Sequence, residues 1–288
     1  STMFKGNVKD IDESLQGEIT LAMKLKGFNF SGKLKEEKIV KFKQTFKHAH
    51  LYISNEVNNT ILGLKSSYEL TGPTMYDYTS TYTIDQVKSS EEPGSTLMAE
   101  SLLVDSTSKV ENGLAKETLR ATVKSTEILY EKEKVGFKNL SLDMNMSNID
   151  IAALDRLQET ETKDQKEVDD LVKTFVSKNM HLTLSNLSAE KMVLRGKEMG
   201  GFTLDADLDI DHSLDIYRMN IQPKHALKKM NGDINISISK EVLTMLKEDP
   251  EFMIIYMMYR PKRKLGQRLY HIKIGDGELK INGKAVDF

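Results

Sequence analysis

Apolar and polar residues alternate with a period of two over long stretches of this 288-residue chain. In the clearest stretch, Phe202 to Ile210, every second residue is apolar and three of the intervening residues are aspartates. Such alternation is typical of a strand with one buried face and one face in water. It recurs over 19–25, 76–85, 119–123, 140–146, 234–238 and 270–281. The sequence therefore predicts a β-rich α+β fold, in which a few helices pack on one face of a long, curved antiparallel sheet.

Turn signals near the chain end separate some of these predicted strands. Gly275-Asp276-Gly277 lies between two alternating segments, and Asn282-Gly283 follows the second of them. Asp-Gly and Asn-Gly favour the two-residue turns that join antiparallel strands. A terminal hairpin with a second turn after it is therefore predicted.

Helical spacing of apolar residues is limited to two regions, near 150–178 and near 239–259. The first region contains two stretches with the i, i+3, i+4 and i+7 spacing of an apolar helix face. In the second region, Ser239 is a suitable N-cap and Pro250 a suitable first helical residue, which indicates two short helices. The predicted helices are 150–158, 166–178 and a pair within 239–259, with Asn148 or Asp150 as the cap of the first.

A loop signal divides the chain into two unequal parts. Pro93-Gly94 lies within the polar stretch 89–95, where Pro and Gly favour a turn. We therefore predict an N-terminal β-rich region over 1–92 and a C-terminal β-rich region over 93–288, which contains the helices. One continuous elongated domain is the alternative.

Composition excludes several classes of protein. The chain has no cysteine, which excludes a disulfide scaffold, a thiol nucleophile and a thiolate-bound metal site. Lys and Arg number 41 against 43 Asp and Glu, so the basic excess of a general nucleic-acid-binding protein is missing. The hydrophobic content of 39% is that of a globular chain and too high for a disordered one.

Residues that often carry catalysis or bind metals form no recognised motif. His48-Ala49-His50 places two imidazoles on one face of a strand, but no third ligand is evident, so an exposed histidine pair is preferred over a metal site. The alternating aspartates of 205–211 lack the glycine and glutamate that a calcium-binding EF-hand loop needs. We interpret them as a solvated acidic strand face, paired with a neighbouring strand that carries lysine. No catalytic residue, metal site or cofactor is predicted.

The C-terminal region combines an apolar run, Phe252 to Tyr259, with the basic cluster Arg260-Pro261-Lys262-Arg263-Lys264 directly after it. The preferred interpretation is a helix that packs in the core or against the sheet and ends in a solvated basic loop, because apolar residues cover all its faces. Alternatively, the apolar side chains insert into a membrane surface or contact a lipid while the basic ones bind phosphates, or the run contacts a protein partner. The candidate contact residues are Phe252, Ile255, Tyr256, Tyr259, Arg260, Lys262, Arg263 and Lys264.

Three segments, in their order along the C-terminal part, resemble a known family. They are 146–154, which reads Met-Ser-Asn-Ile-Asp-Ile-Ala-Ala-Leu; 230–234 with the helix of 239–246; and the terminal hairpin 275–284, which ends Asn-Gly-Lys. These segments are similar to those of the DUF945 (YdgA-like) family of bacterial cell-envelope proteins. The resemblance covers roughly residues 97–288.

The resemblance implies a periplasmic protein that is held at the inner membrane by an N-terminal anchor. This chain shows neither a signal peptide nor an apolar run of the about 20 residues that a spanning helix needs. We therefore expect it to be a fragment without the anchor. The family brings no established activity and no catalytic residues.

Three functions are compatible with these patterns. The first is a non-catalytic envelope protein that acts as a scaffold or protein-interaction module, for instance by offering a sheet edge to a partner strand. The second is binding or transport of a lipid or another apolar ligand in the concave face of the sheet. The third is an enzyme of unknown class, which would require histidines or aspartates to converge in one pocket. The expected partners are an envelope protein or a lipid, and nucleic acid is not expected.

Overall fold

The β-rich architecture predicted from the alternation is present in the computed structural model. It describes residues 1–17, 19–54, 56–91, 94–130, 133–159, 173–214 and 222–287. Strands account for 68% of the chain and helices for 12%, so the α+β, β-rich prediction is confirmed. Five prolines in 288 residues leave the long strands uninterrupted, because proline removes a hydrogen-bond donor from a sheet.

Seventeen strands form one sheet. They are β1 (Thr2–Asn7), β2 (Ile11–Leu15), β3 (Leu21–Lys26), β4 (Asn29–Lys35), β5 (Lys38–Ile53), β6 (Val57–Leu70), β7 (Tyr78–Glu91), β8 (Ser95–Glu111), β9 (Leu114–Tyr130), β10 (Glu133–Asp150), β11 (Met180–Leu194), β12 (Lys197–Ile210), β13 (Met230–Ile238), β14 (Lys262–Lys264), β15 (Gln267–Gly275), β16 (Glu278–Ile281) and β17 (Lys284–Ala285). The helices are α1 (Ile151–Glu159), α2 (Pro223–Leu227), α3 (Lys240–Leu246) and α4 (Pro250–Met258).

Close contacts divide the chain into two compact units, each made of several segments. The first unit comprises Ser1–Thr107, Leu119–Ser141 and Ala189–Met199, and the second comprises Ser108–Thr118, Leu142–Ser188 and Gly200–Phe288. Residues 92 and 93, on which the predicted boundary falls, lie outside the described residues, and that boundary stays a prediction. Apart from Ala189, the fully buried apolar side chains of the described residues all belong to the second unit.

In the first unit, β5 is the strand around which its neighbours are arranged. One side of β5 pairs antiparallel with β6 from Lys41 to Ile53. On the other side, β4 pairs with the first half of β5 and β3 pairs with the second half. The sixteen residues of β5 therefore give enough length for two successive short strands to share one long neighbour.

The helix predictions agree with the structure wherever the structure describes them. Asp150 accepts a hydrogen bond from the Ala152 N–H at 2.9 Å, directly before α1, which confirms it as the cap. Of the predicted helix 166–178, residues 166–172 lie outside the described part and residues 173–176 are helical. The five-residue α2 was not predicted, because one turn of helix is too short to show an apolar period.

The second unit places β15 between two sets of neighbours. β13 pairs with Arg268–Ile274 on one side, and β14 and β16 pair with the two ends of β15 on the other. The helices cover the apolar side of these strands: α2 packs against β13 and β16, and α3 packs against β15. Their buried side chains include Leu227, Val242 and Leu243.

The two predicted terminal turns are confirmed. Asp276 and Gly277 join β15 to β16 with φ of 55° and 78°, and Asn282 and Gly283 join β16 to β17 with φ of 53° and 85°. Two successive residues with positive φ define the turn whose twist matches that of an antiparallel hairpin. Glycine occupies the second position of both turns because it has no Cβ to resist this conformation.

Candidate functional site

Two capping side chains fix where the C-terminal helices begin. The Ser239 hydroxyl accepts a hydrogen bond from the Val242 N–H at 3.2 Å and so starts α3. Three residues after the end of α3, the Asp249 carboxylate accepts from the N–H groups of Glu251 and Phe252 at 2.8 and 3.0 Å. Pro250 then supplies the first residue of α4, where its missing N–H is not needed. This pair of short helices is the one predicted from the sequence.

Of the two positions predicted for this helix, a place in the core is wrong for α4, because none of its side chains is buried. Five of its nine residues are large apolar side chains exposed to solvent. Ile254 and Met257 are 61% and 68% exposed, and Met253, Ile255 and Met258 are also exposed. A cluster of large apolar side chains on a surface is typical of a contact site, whereas single exposed apolar residues are common and need no explanation.

α4 is held to the unit by its aromatic side chains. Phe252 and Tyr256 are half-buried, and Tyr259, which ends the helix, is only 6% exposed. The Tyr259 hydroxyl donates to the Ala285 carbonyl at 3.4 Å. Tyr259 therefore holds the helix in place, and its assignment as a surface contact residue is corrected here.

Cations surround the half-buried Tyr256. The Lys247 ammonium lies 3.6 Å from the centroid of the Tyr256 ring, a cation–π contact. Lys247, as hydrogen-bond donor and as charge, is the main cause that lowers the pKa of the Tyr256 phenol, and the charges of Arg260 and Arg263 add to it. Positive charge is thus concentrated next to the apolar helix.

Tyr270 of β15 lies in the interior near the same tyrosine. Its hydroxyl is buried and has no hydrogen-bond partner among the residues that the structure describes. Burial, together with the neighbouring Tyr256, raises the pKa of Tyr270 to about 12. A buried hydroxyl without a partner costs stability, since it gives up its hydrogen bonds to water.

A short basic hairpin follows α4. In this hairpin, β14 (Lys262–Lys264) is exposed throughout and pairs with the start of β15. Arg263 lies directly opposite Arg268, although like charges at facing positions destabilise a strand pair. The turn is formed by Leu265 and Gly266 with φ of 48° and 82°. Leu265 is 93% exposed, in a conformation that the two-residue turn imposes and that bulky residues rarely adopt.

The basic side chains of this region are not neutralised within the protein. Across the part of the chain that the structure describes, Arg260, Lys262, Arg263 and Lys264 form no ion pair. We name the exposed apolar and basic side chains together the α4–hairpin surface. Its members are Met253, Ile254, Ile255, Met257, Met258, Arg260, Lys262, Arg263, Lys264 and Leu265.

Sequence reasoning found the segment but not its exposed residues. Of the candidate contact residues, Ile255 and the four cations are exposed, whereas Phe252 and Tyr256 face inward. The most exposed apolar side chains, Ile254, Met257 and Leu265, were missed. An entirely apolar helix has no polar face, so its sequence does not show which side turns outward.

The side chains around the acidic face of β12 differ from those that the sequence predicted. Its carboxylates are exposed, as predicted. Asn235 donates to Asp205 at 2.8 Å, and His181 Nδ1 lies 2.8 Å from an oxygen of Asp209. Among the described residues, lysine pairs only with the last of these aspartates, Asp211, from Lys229 at 3.8 Å. The neighbouring strand β11 carries Lys191, but this lysine pairs with Glu198 near the start of β12. The predicted pairing with lysine is therefore present at Asp211 and wrong for the other aspartates.

The histidines lie in several places on the two units. His48 and His50 stack on one face of β5 with ring centroids 6.3 Å apart, as the pattern predicted. In the described part of the chain no third metal-ligating side chain joins this pair. His271 and Asp205 line a cleft of about 300 Å³ on the face of β13 and β15 that carries Asn235. The enzyme alternative stays a prediction.

These features define a class: an antiparallel sheet protein with few helices, whose second unit exposes an apolar helix beside cations that form no ion pair with any described residue. A family model described as bacterial protein of unknown function (DUF945) matches residues 2–251, and the chain belongs to this family. No curated protein and no solved structure shows significant similarity to it.

The family match differs in extent from the resemblance seen in the sequence. It includes the N-terminal part before residue 97, and it ends at Glu251. The terminal hairpin and nearly all of α4 therefore lie beyond the matched region. None of the described helices is long and apolar enough to cross a membrane.

Proposed function

We propose that this chain is a non-catalytic bacterial envelope protein, a scaffold whose second unit attaches to an anionic membrane surface. The α4–hairpin surface makes the attachment. The observation that carries the proposal is the exposed apolar face of α4, followed at once by four cations without ion pairs in the described structure. A periplasmic location and an N-terminal inner-membrane anchor in the whole protein belong to the same proposal.

The apolar half of the surface suits the boundary between headgroups and acyl chains. Burying a large apolar side chain contributes about 1.5–3 kcal/mol, and five such residues of α4 lie in water. Their exposed side chains suit shallow insertion, since a nine-residue helix is too short to span a bilayer. Leu265 at the hairpin tip adds a sixth apolar side chain next to the cations.

The basic half of the surface favours phosphate groups over a neutral partner. Each Lys or Arg close to an anionic leaflet contributes about 1 kcal/mol. A facing anion would also relieve the repulsion between Arg263 and Arg268. An acidic protein surface offers the same charge, but it does not provide the deep apolar layer that the α4 side chains require.

Vesicle binding tests this function. The protein should cosediment with vesicles of phosphatidylglycerol and phosphatidylcholine, and bind vesicles of phosphatidylcholine alone far more weakly. The double variant Ile254→Gln and Met257→Gln should lose at least about 30-fold in partitioning, because it removes two of the inserted side chains. Its unfolding midpoint should stay unchanged, since both side chains are exposed.

A matched control uses two equally exposed apolar residues of the first unit. Met3→Gln with Leu15→Gln, at positions 71% and 69% exposed, should bind vesicles like the wild type. Equal losses in both double variants would show that the α4–hairpin surface is not the site. Failure of the wild type to bind anionic vesicles would overturn the proposal. So would a dimer that the α4 variant converts to monomers, because the occupant would then be a second copy.

A further inference from the structure

A second group of side chains on the second unit brings together metal-binding atoms from two neighbouring strands. His181 of β11 lies between two carboxylates of β12. Its Nδ1 is 2.8 Å from Oδ1 of Asp209, and its Nε2 is 3.7 Å from Oδ2 of Asp207. The Thr183 hydroxyl is 3.0 Å from the same Nε2 and donates to Asp207 at 3.3 Å. We name these four residues the His181 cluster.

Strand geometry fixes the positions of the cluster. Asp207 and Asp209 are two residues apart on β12, as His181 and Thr183 are on β11, so each pair shares one face of the sheet. The intervening Ala206 and Leu208 turn to the apolar side, and Ala206 is 7% exposed. Because the alternation holds both strands in register, the carboxylates stay beside the imidazole.

The charges around the cluster differ from those at the other ion pairs of the protein. The remaining ion-paired carboxylates that the structure describes each have a lysine or arginine partner, as in Lys24–Asp12 and Lys41–Glu69. The exception is Asp233, which lies directly opposite Asp207 and has His271 as its partner, at 2.7 Å.

Among the described residues, Asp207 and Asp209 have His181 and Thr183 as partners and form no ion pair with a lysine or arginine. Asp233 differs, because Lys273 faces it on β15. Facing carboxylates repel each other across a strand pair, so a cation bound at Asp207 would also offset its repulsion with Asp233. The surface thus combines negative charge with an imidazole nitrogen. Imidazole is a preferred ligand of transition metals, whereas Mg²⁺ and Ca²⁺ prefer oxygen ligands.

The separations between donor atoms suit a small metal ion. His181, Asp207 and Asp209 each offer one ligand atom, and these three atoms lie within 4.8 Å of one another. Bonds of about 2.0–2.2 Å to Zn²⁺ put neighbouring ligand atoms of a tetrahedral site about 3.3–3.6 Å apart. The 3.7 Å between Nε2 and Asp207 is already near that value. Asp209 contacts the other ring nitrogen, Nδ1, and its side chain, which is 66% exposed, would turn from there toward the metal.

We propose that His181, Asp207 and Asp209 bind one divalent transition-metal ion of the Zn²⁺ type. Three protein ligands leave a fourth position open to water or to a group of a partner molecule. Thr183 orients the Asp207 carboxylate through its hydrogen bond, the role of an outer-shell partner. This site goes beyond the proposed membrane attachment and is independent of it.

Calorimetric titration of the chelator-stripped protein with ZnCl2 at neutral pH tests the site. The expected result is saturable binding of one Zn²⁺ per chain, with no comparable binding of MgCl2 or CaCl2. His181→Ala and Asp209→Asn should each weaken binding at least about 10-fold. Circular dichroism should show that both variants stay folded, since the three side chains lie at the surface.

A control variant keeps the assignment specific. His48→Ala removes one of the stacked histidine pair on β5, which lies in the first unit. It should not change Zn²⁺ binding. The proposal fails if the wild type binds no Zn²⁺ saturably, if His181→Ala binds like the wild type, or if the control variant loses as much affinity. Selective broadening of the His181 imidazole signals by Ni²⁺ would support it directly.

Discussion

The acidic strand β12 and the basic α4–hairpin surface are both clusters of like charge, but among the described residues only the first has side-chain partners for most of its charges. Asp205, Asp209 and Asp211 each have a partner on a neighbouring segment, at 2.8, 2.8 and 3.8 Å. The cations of the hairpin have no ion pair within the described residues, and two of its arginines face each other.

The contrast extends to the apolar residues beside each cluster. Those that alternate with the aspartates of β12 turn inward, and Ala206 is buried. Those beside the cations are the exposed side chains of α4. The acidic cluster therefore leaves only its exposed carboxylates for a small ligand such as a metal ion. The basic cluster has exposed apolar neighbours as well, so it can bind a larger surface.

The largest expected effect comes from neutralising the basic cluster. The variant with Arg260, Lys262, Arg263 and Lys264 all replaced by Gln should bind anionic vesicles about 1000-fold more weakly, since each cation contributes about 1 kcal/mol. Cosedimentation at fixed low salt measures the change. The comparison predicts that Asp205→Asn in the acidic strand leaves vesicle binding unweakened, and an equal loss in that variant would remove the distinction between the two clusters.

A smaller effect is expected beneath the basic region, at the buried Tyr270 hydroxyl. Tyr270→Phe should raise the free energy of unfolding by about 1 kcal/mol at pH 7, because it removes a buried donor without a partner. Denaturant titration measures this, with Tyr130→Phe at a 61% exposed position as a control that should change little.

The same residue makes a pH prediction. Its pKa of about 12 in the folded protein lies above the ordinary 10.0, so the unfolded chain releases the proton first. The contribution of the neutral hydroxyl is complete below pH 10 and is lost as the pH rises toward 12. The wild type should therefore lose more stability over this range than Tyr270→Phe. Parallel pH curves for the two proteins would contradict the burial of this hydroxyl.

The smallest expected effect concerns the internal pairing of the acidic strand. Asn235→Ala removes the amide that donates to Asp205, and should lower the free energy of unfolding by about 0.2–1 kcal/mol, the range of exposed cross-strand pairs. Asn231→Ala is the matched control, because Asn231 is exposed on the same strand opposite Asp209. If both variants unfold alike, the hydrogen bond to Asp205 does not stabilise the acidic face.

Much of the fold followed from local sequence patterns, because each pattern needs only a few neighbouring residues. Alternation identified β12 and β13, the Asp-Gly and Asn-Gly pairs identified the terminal turns, and the caps identified the helix starts. The site was only half predictable. The apolar run and the cations are adjacent in sequence, but the partner of an aspartate depends on which strand lies beside it, as His181 shows.

The sequence by itself determined the β-rich class, the family, the helices α1, α3 and α4 and the presence of an apolar run before a basic cluster. Only the tertiary structure decided that α4 lies at the surface, that Tyr259 is buried and that His181 reaches two aspartates of another strand. The physical reason is that period and capping are local properties of the chain. Burial and pairing depend on strand register and on which face the other elements already cover.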